Sequence, residues 1–570
     1  MATTKKEVIQ LLEKIAVYME LKGENPFKIS AFRKAAQSLE MDDRSLSEID
    51  EFTKLPGIGE RTGEIITTFV ETGESPELEQ LQKEVPKGLI PLLDVQGLGG
   101  KKLSRLYKEL GITDKDSLLK EAENGKIAAL KGFGQKSVDK MVEAVREIGT
   151  RPERYPIYDA LKIADQIEAY LDTIPAIETY SEAGSLRRLR ETVKDLDFVI
   201  GTTDVEKVKT ALLEFPLIQE VTNDGNTKVS VELKDEIEIA VDFRLVSPED
   251  FPTTLHHFTG SKDHNIKMRQ LAKEQDEKIS EYGVENKAGK NLHFKNESAF
   301  YDHFSLPYLP PEVRKDGQEI ERIKRQSTFI EEKDIRGDLH MHTTWSDGAY
   351  SLPEMIEACI AKKYEYMVIT DHGGFLKVAN GLEKERLLDQ VQKITTLKKE
   401  YPEIDIYAGV EMDILPDGTL DFEDDVLKEL DFVIASIHSS FSQTEAQIMK
   451  RLETACKNPY VRLIAHPTGR IIGKRPGYQV NMEKLIQLAS ETGTALELNA
   501  NPQRLDLAAA HLEAAKAAGV KIAINTDAHD KKHLDFMKIG VRAAKKGWLE
   551  QGDILNSMTK QAFRQFIQNK

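Results

Sequence analysis

Val368-Ile369-Thr370-Asp371-His372 is an apolar run that gives way to chelating side chains at its carboxyl end, and the pattern recurs along the second half of the chain. Similar runs end at Asp338-Leu339-His340, Tyr407-Ala408-Gly409-Val410-Glu411, Ala435-Ser436-Ile437-His438, Leu463-Ile464-Ala465-His466, Leu496-Glu497-Leu498-Asn499 and Ile522-Ala523-Ile524-Asn525-Thr526-Asp527. Strands alternating with helices favour a parallel α/β arrangement, here a barrel. Barrel active sites sit at the carboxyl ends of the strands. The candidate ligands are therefore His340, His342, Asp347, His372, Glu411, His438, His466, Asp527 and His529. A single strand-end histidine is more often structural than a ligand. Six histidines at or just past recurrent strand ends are hard to explain that way, because burying so many without partners is unfavourable. Mixed nitrogen and oxygen donors suit Zn²⁺, Mn²⁺ or Fe²⁺ better than Mg²⁺. Nine candidates suffice for a two- or three-metal cluster able to generate hydroxide and clamp a phosphate.

Working back toward the N-terminus, Gly184-Ser185-Leu186-Arg187-Arg188 is followed by Asp195-Leu196-Asp197 at the head of the apolar run Phe198-Val199-Ile200. Side chains alternate along a strand, so Asp195 and Asp197 share a face while Leu196 packs behind them. Such a pair can hold two divalent ions for phosphoryl transfer. An isolated Asp-x-Asp would read as a solvated strand end; the Gly-Ser turn and the arginines weaken that reading. Lys228–Leu233 and Ile237–Leu245 flank a polar turn as a hairpin, and the second strand carries Asp242. If that strand pairs beside the Asp195 strand, Asp242 completes a carboxylate triad. Polar side chains then cluster around a glycine at His257-Phe258-Thr259-Gly260-Ser261, ahead of a helix beginning near His264-Asn265. The charged stretch Arg314–Lys333 reads as a partly helical linker with a solvated face.

Residues 1–90 read as helical, with Phe27, Ile29, Phe32 and Ala35 facing a core. Three turns, Pro56-Gly57-Ile58-Gly59, Gln96-Gly97-Leu98-Gly99 and Lys131-Gly132-Phe133-Gly134, each place an apolar residue between two glycines ahead of a helix. Glycines permit close backbone approach, and helix N-terminal amides can bind phosphate. Three in succession resemble helix-hairpin-helix elements, which grip DNA backbones without reading sequence. Pro152 and Pro156 mark a boundary after them.

At 570 residues the length suits roughly three to five domains. The net charge of −17 argues against non-specific nucleic-acid binding by the chain as a whole, though not through local surfaces. No run is long and apolar enough for a membrane span, and the N-terminal pattern lacks a signal peptide's core. Cys359 and Cys456 are the only cysteines, which excludes a disulfide framework and a cysteine-rich zinc site. A cytoplasmic location is expected.

The Gly184-Ser185, Arg188, Asp195-x-Asp197, Asp242 and Phe258-Thr259-Gly260-Ser261 motifs resemble the nucleotidyltransferase core of family X DNA polymerases of the DNA polymerase beta type. That resemblance implies Mg²⁺ or Mn²⁺ on Asp195, Asp197 and Asp242. It also implies triphosphate contacts from Gly184, Ser185 and Arg188, and a nucleotide pocket of His257, Phe258, Gly260, Ser261 and Asn265. Arg269 would lie near the template strand, and Gly57, Gly59, Gly97, Gly99, Gly132 and Gly134 would contact the DNA backbone. Two departures stand out: His257 replaces the tyrosine of the beta type, and Ile65 occupies the position of the lyase lysine. An isoleucine cannot form a Schiff base.

His340-x-His342, Ser346-Asp347-Gly348, Thr370-Asp371-His372, Glu411, His438, His466-Pro467 and Asp527-Ala528-His529 resemble the PHP (polymerase and histidinol phosphatase) family. Every ligand position of that family is filled here, which implies metal-dependent phosphoester hydrolysis with two or three Mn²⁺, Zn²⁺ or Fe²⁺ ions. The expected architecture is a multidomain α+β and α/β chain. It comprises a helical DNA-binding domain with a helix-hairpin-helix (1–90), a fingers-like helix-hairpin-helix region (91–150), a nucleotidyltransferase palm (151–245), a thumb with the nucleotide pocket (246–315), a linker (316–334) and a distorted seven-stranded PHP (β/α) barrel (335–570). The expected function is template-directed filling of short gaps in base excision repair, with a separate 3′–5′ exonuclease and phosphodiesterase that acts at abasic-site ends. Partners would be gapped or primed DNA and deoxynucleoside triphosphates, with the chain acting as a monomer. Two alternatives are a DNA-targeted small-molecule phosphatase, and a non-catalytic DNA-binding module that delivers a nuclease.

Overall fold

The computed structural model describes residues 5–568 apart from 43–45, 47, 48, 50, 96, 97 and 148–151. It divides into two compact units, Met1–Glu153 and Arg154–Lys570.

The first unit is helical around one core that runs from Val8 to Val145. Its first helix, Lys5–Lys22, repeats apolar residues at helical spacing, and Val8, Leu12, Ile15 and Met19 are buried. In the next helix, Pro26–Met41, Ile29, Phe32 and Ala35 are buried as expected, but Phe27 is 85% exposed. Residues two apart on a helix do not share a face, so Phe27 cannot join the stripe that begins at Ile29. The helices Glu60–Thr72, Gly100–Leu110 and Gln135–Glu147 each begin directly after a Gly-x-Gly turn. In all three turns the middle residue, Ile58, Leu98 or Phe133, is buried. Gly59, Gly99 and Gly134 lie at the surface, with open space where a Cβ would stand. Gly57 and Gly132 adopt φ values of 85° and 95°, the left-handed region that favours glycine. Gly97 lies outside the described residues.

The second unit opens with a five-stranded sheet of β1 (Thr179–Glu182), β2 (Asp195–Gly201), β3 (Ile218–Asp224), β4 (Lys228–Lys234) and β5 (Glu238–Val246), in the order β1-β2-β5-β4-β3. β4 and β5 form the expected hairpin, and β2 pairs with β5 in parallel. Leu196, Phe198 and Ile200 face a core shared with Ile163 and Ile167 of the helix Ile157–Leu171. Asp195, Asp197 and Val199 therefore take the other face, where Val199 meets Leu255 of the helix Phe251–Thr259.

A separate core gathers Met268, Phe300, Tyr301, Phe304, Ile320 and Ile323. The stretch expected as the linker 316–334 is thus partly built into this core through the short helix Glu319–Ile323. The expected solvated face also differs, because Arg314 and Glu319 are buried. Arg314 donates to Glu297 at 2.8 Å, and Glu319 pairs with His264 at 2.7 Å. A run of charges looks the same in sequence whether water or an opposite charge satisfies it.

The barrel strands are β6 (Gly337–Asp338), β7 (Tyr366–Ile369), β8 (Asp405–Asp413), β9 (Phe432–Ser436), β10 (Val461–Ile464), β11 (Ala495–Asn499) and β12 (Ile522–Asn525), parallel and adjacent in chain order. A bridge between Met341 and Ala528 joins the first strand to the last. Leu339, Tyr366, Val368, Phe432, Leu463 and Ala523 form a core with Phe563 of the C-terminal helix Lys560–Gln568. Phe563 is fully buried and stacks on Tyr366 with ring centroids 4.5 Å apart. Phe563→Ala should therefore cost about 3–5 kcal/mol of stability, read as a lower urea midpoint for the second unit's unfolding transition.

Candidate active sites

The register of β2 and β5 places Asp197 directly beside Asp242, with Asp195 beside Ala240 at the strand head. Burial, then the charges of Asp195 and Asp242, push the Asp197 carboxyl up to about 7. Two cations stand next to this cluster: Lys228 pairs with Asp242 at 2.6 Å, and Arg244 follows on β5. A cluster of carboxylates that raises its own proton affinity is suited to hold divalent cations, which restore the ionised form.

Gly184 opens a single helical turn, Gly184–Arg187, at φ 55°. A Cβ there would stand 2.1 Å from an Asp197 carboxylate oxygen, so only glycine lets the turn lie against the cluster. Ser185 is half-buried on the same turn. Arg188 follows it and donates to the Thr259 carbonyl. Burial, then the neighbouring Arg190, bring its guanidinium down to about 10. Gly260 completes the close approach, since a Cβ there would lie 3.1 Å from the Arg188 guanidinium.

The predicted nucleotide pocket assembles at the junction of the helices Phe251–Thr259 and Lys262–Glu274. Asn265 donates to the His257 carbonyl at 2.7 Å, and Ser261 caps the second helix by accepting from the His264 amide at 3.2 Å. Arg244 lies over the Phe258 ring at 4.3 Å, which ties this junction to the carboxylate strand. Burial lowers the His257 imidazole pKa. Arg269 is exposed on the Lys262–Glu274 helix. Sequence reading missed a buried ion network that holds the two regions together. Arg187 donates to Thr259 at 2.7 Å and to Glu297 at 2.6 Å, and Glu297 also accepts from Arg314 at 2.8 Å. Burial alone would raise the Glu297 pKa, but the two guanidinium groups outweigh it and hold the carboxyl at about 2.

At the barrel mouth, three groups of side chains each converge as a metal site would require: His342, Asp347, His372 and His529; His340, His342, Glu411 and Asp527; and His372, Glu411 and His438. These groups take in eight of the nine predicted ligands. The ninth, His466, lies 2.9 Å from Glu411 through Nε2. His340 Nε2, His342 Nδ1, His372 Nδ1 and Glu411 Oε2 are buried and lack a hydrogen-bond partner among the described residues. Orphaned polar atoms at this depth are costly, and nitrogen and oxygen donors converging in threes and fours fit divalent transition metals. Burial, then His529 and His372, hold His342 at about 3, in the neutral form that ligates.

A further layer of side chains fixes the ligands, and sequence reading did not single it out. His340 Nδ1 meets Glu497 at 2.7 Å, and His438 Nδ1 meets Asp413 at 3.1 Å. Asn499 donates to Asp527 at 3.1 Å. Asp371 accepts from Thr343, Ser346 and Gln390, which orders the loop that carries Asp347. Such partners orient a ligand and fix its tautomer. Glu497 and Asn499 sit on a strand end and Asp371 within the His372 motif, so the same pattern that found the ligands could have found them.

The two constellations define a chain with a carboxylate-lined mixed sheet and a histidine-rich barrel. Family models match residues 3–75 (helix-hairpin-helix domain), 89–147 (SAM-like helix-hairpin-helix tandem), 254–315 (DNA polymerase beta thumb) and 338–527 (PHP domain). The DNA polymerase/3′–5′ exonuclease PolX of Bacillus subtilis (strain 168) is 58% identical over 564 residues, covering 99% of each chain. The chain belongs to the PolX family. Probable phosphatases also match a little over a third of the chain. One from Thermoanaerobacter sp. (strain X514) is 30% identical over 39% of this chain and 89% of its own length. Another from Caldicellulosiruptor bescii is 31% identical over 35% of this chain and 83% of its own.

Glu411 belongs to two of the three barrel groups and Asp347 to one. Glu411→Gln should therefore lower the number of Mn²⁺ ions bound by the full chain, read by calorimetric titration, by more than Asp347→Asn does.

Proposed function

We propose that the chain extends DNA primers at the Asp195, Asp197 and Asp242 cluster and hydrolyses 3′ ends at the barrel mouth. The observation that carries the proposal is the coexistence in one chain of the Asp197–Asp242 register and the converging barrel ligands. At the sheet, Asp195, Asp197 and Asp242 would hold Mg²⁺ or Mn²⁺, which when bound stabilise charge on the attacking and leaving oxygens. Arg188 and the Gly184–Ser185 turn hold the triphosphate of the incoming nucleotide. The junction around Phe258, Gly260 and Asn265 receives its base and sugar. The primer 3′-hydroxyl then attacks the α-phosphate, and pyrophosphate leaves. The glycine turns of the first unit hold the DNA backbone through amides at the starts of the helices that follow them.

At the barrel, the nine ligands would hold two or three Mn²⁺, Zn²⁺ or Fe²⁺ ions, which supply a hydroxide nucleophile and neutralise phosphate charge. Glu497, Asp413 and Asp371 hold His340, His438 and the Asp347 loop in place. The substrate is a terminal phosphodiester, including abasic-site ends. The setting is gap filling in base excision repair in the cytoplasm, by a single copy of the chain. Hydrolysis of small phosphomonoesters is a second reading, favoured by the likeness of part of the chain to probable phosphatases.

Separation of functions tests the assignment. Asp195→Ala should lose primer extension by at least about a thousandfold and keep 3′-end hydrolysis, and His342→Ala should do the reverse. Either variant retaining its assigned activity removes that assignment. Activity on a small phosphomonoester with none on DNA ends selects the second reading. Gly184→Ala should behave as Asp195→Ala does, because its methyl group collides with Asp197.

A further inference from the structure

A cavity of about 670 Å³ lies where the Gly184–Arg187 turn, the segment after the thumb core and two barrel helices meet. Its lining includes Arg188, Arg190, Lys315 and Lys546, together with Glu191, Glu312 and Glu513. The carboxylates are already matched by arginines: Glu191 by Arg470 at 2.9 Å, Glu312 by Arg542 at 2.9 Å and Glu513 by Arg322 at 2.8 Å. Among the described residues, no carboxylate pairs with Arg188, Arg190, Lys315 or Lys546. A surplus of cations thus faces one open cavity beside the turn that carries Arg188.

The barrel side of this cavity is fixed to the turn by hydrogen bonds. Arg542 donates to the carbonyls of Arg187 at 2.8 Å and Leu186 at 3.3 Å, and Lys546 donates to that of Leu189 at 2.8 Å. Both belong to the barrel helix Met537–Lys546. Arg542 and Lys546 thus add donors to the carbonyls at the end of the turn, where Leu186 also accepts from the Leu189 amide at 2.8 Å. Burial lowers the Lys546 ammonium to about 8, and the charge of Glu191 offsets only part of that effect. Guanidinium and ammonium groups converging in this way are suited to phosphate oxygens.

We propose that this cavity takes a polyphosphate chain, either inorganic pyrophosphate or the β,γ end of a nucleoside triphosphate, and that Arg190, Lys315 and the barrel residue Lys546 contact it. The proposal rests on the reading of the Asp195 cluster as the nucleotidyl-transfer site. It makes the barrel part of the machinery that handles the triphosphate, in addition to its own hydrolytic site.

The test is calorimetric titration of inorganic pyrophosphate into the full chain with divalent ions removed by chelation. Arg190→Met and Lys546→Met should each weaken binding by about tenfold or more, and Lys546→Arg should retain it. In extension assays, a KM for the deoxynucleoside triphosphate that rises with kcat unchanged assigns the cavity to the incoming nucleotide. An unchanged KM with weaker inhibition by pyrophosphate assigns it to the leaving product. Undiminished 3′-end hydrolysis, with metal restored, reports that the variants are folded. Asp195→Ala should bind pyrophosphate as the unmodified chain does and fail to extend. Extension by Asp195→Ala would overturn the transfer-site reading and leave the titration to judge the cavity by itself. Pyrophosphate affinity within about twofold of the unmodified chain in both Met variants, or equal displacement by sulfate, would overturn the cavity assignment.

Discussion

The Glu411 carboxylate is buried, and imidazole nitrogens of His340, His342, His372, His438 and His466 approach it between 2.9 and 3.5 Å. An ionised group at that depth is tolerable only when surrounding charge or metal compensates it. Burial works to raise the Glu411 pKa, but His340, His438 and His372 outweigh it and hold the carboxyl well below its usual range. The arrangement fixes how the barrel must be built. Strands β6 to β10 have to deliver residues at or just past their carboxyl ends to one point. Glu497 and Asp413 have to hold His340 and His438 by their second nitrogens, and Asp371 has to order the loop that carries Asp347.

The same constraint governs the sheet at the other site. Asp195, Asp197 and Asp242 lie on one face because β2 and β5 run in parallel register, and burial, then their mutual repulsion, raises the Asp197 pKa. Lys228 offsets part of that repulsion, and a glycine at position 184 allows the turn to lie against the cluster. Arg187, Glu297 and Arg314 then carry the charge balance into the neighbouring core through buried hydrogen bonds. The two centres thus use opposite ligand chemistries, all-carboxylate in the sheet and imidazole-rich in the barrel. Hard cations suit the first and transition metals the second.

Much of this was legible from local pattern. The barrel follows from apolar runs that end in chelating residues, and all seven runs became neighbouring strands. The Asp195–Asp197 pair follows from strand alternation. The pairing of Asp242 with Asp197 could be stated only as a condition, because sequence does not give the register between strands. Pairings across long separations were invisible for the same reason. Glu297 with Arg187 is one example, and Arg542 with the Leu186 and Arg187 carbonyls is another. The charges of the 314–333 stretch were misread because a buried ion pair and a solvated one have the same composition. Phe27 departs from the expected core face because apolar character alone does not give a residue's angular position on a helix.

The proposed function requires two separate metal centres in one chain. Anomalous X-ray scattering from crystals of the full chain grown with Mn²⁺ locates bound ions directly. Two such centres give peaks within the three barrel groups around His342, Glu411 and His372, and a further peak between Asp197 and Asp242. Density at only one of these places, or Mn²⁺ bound away from both, would contradict the proposed function.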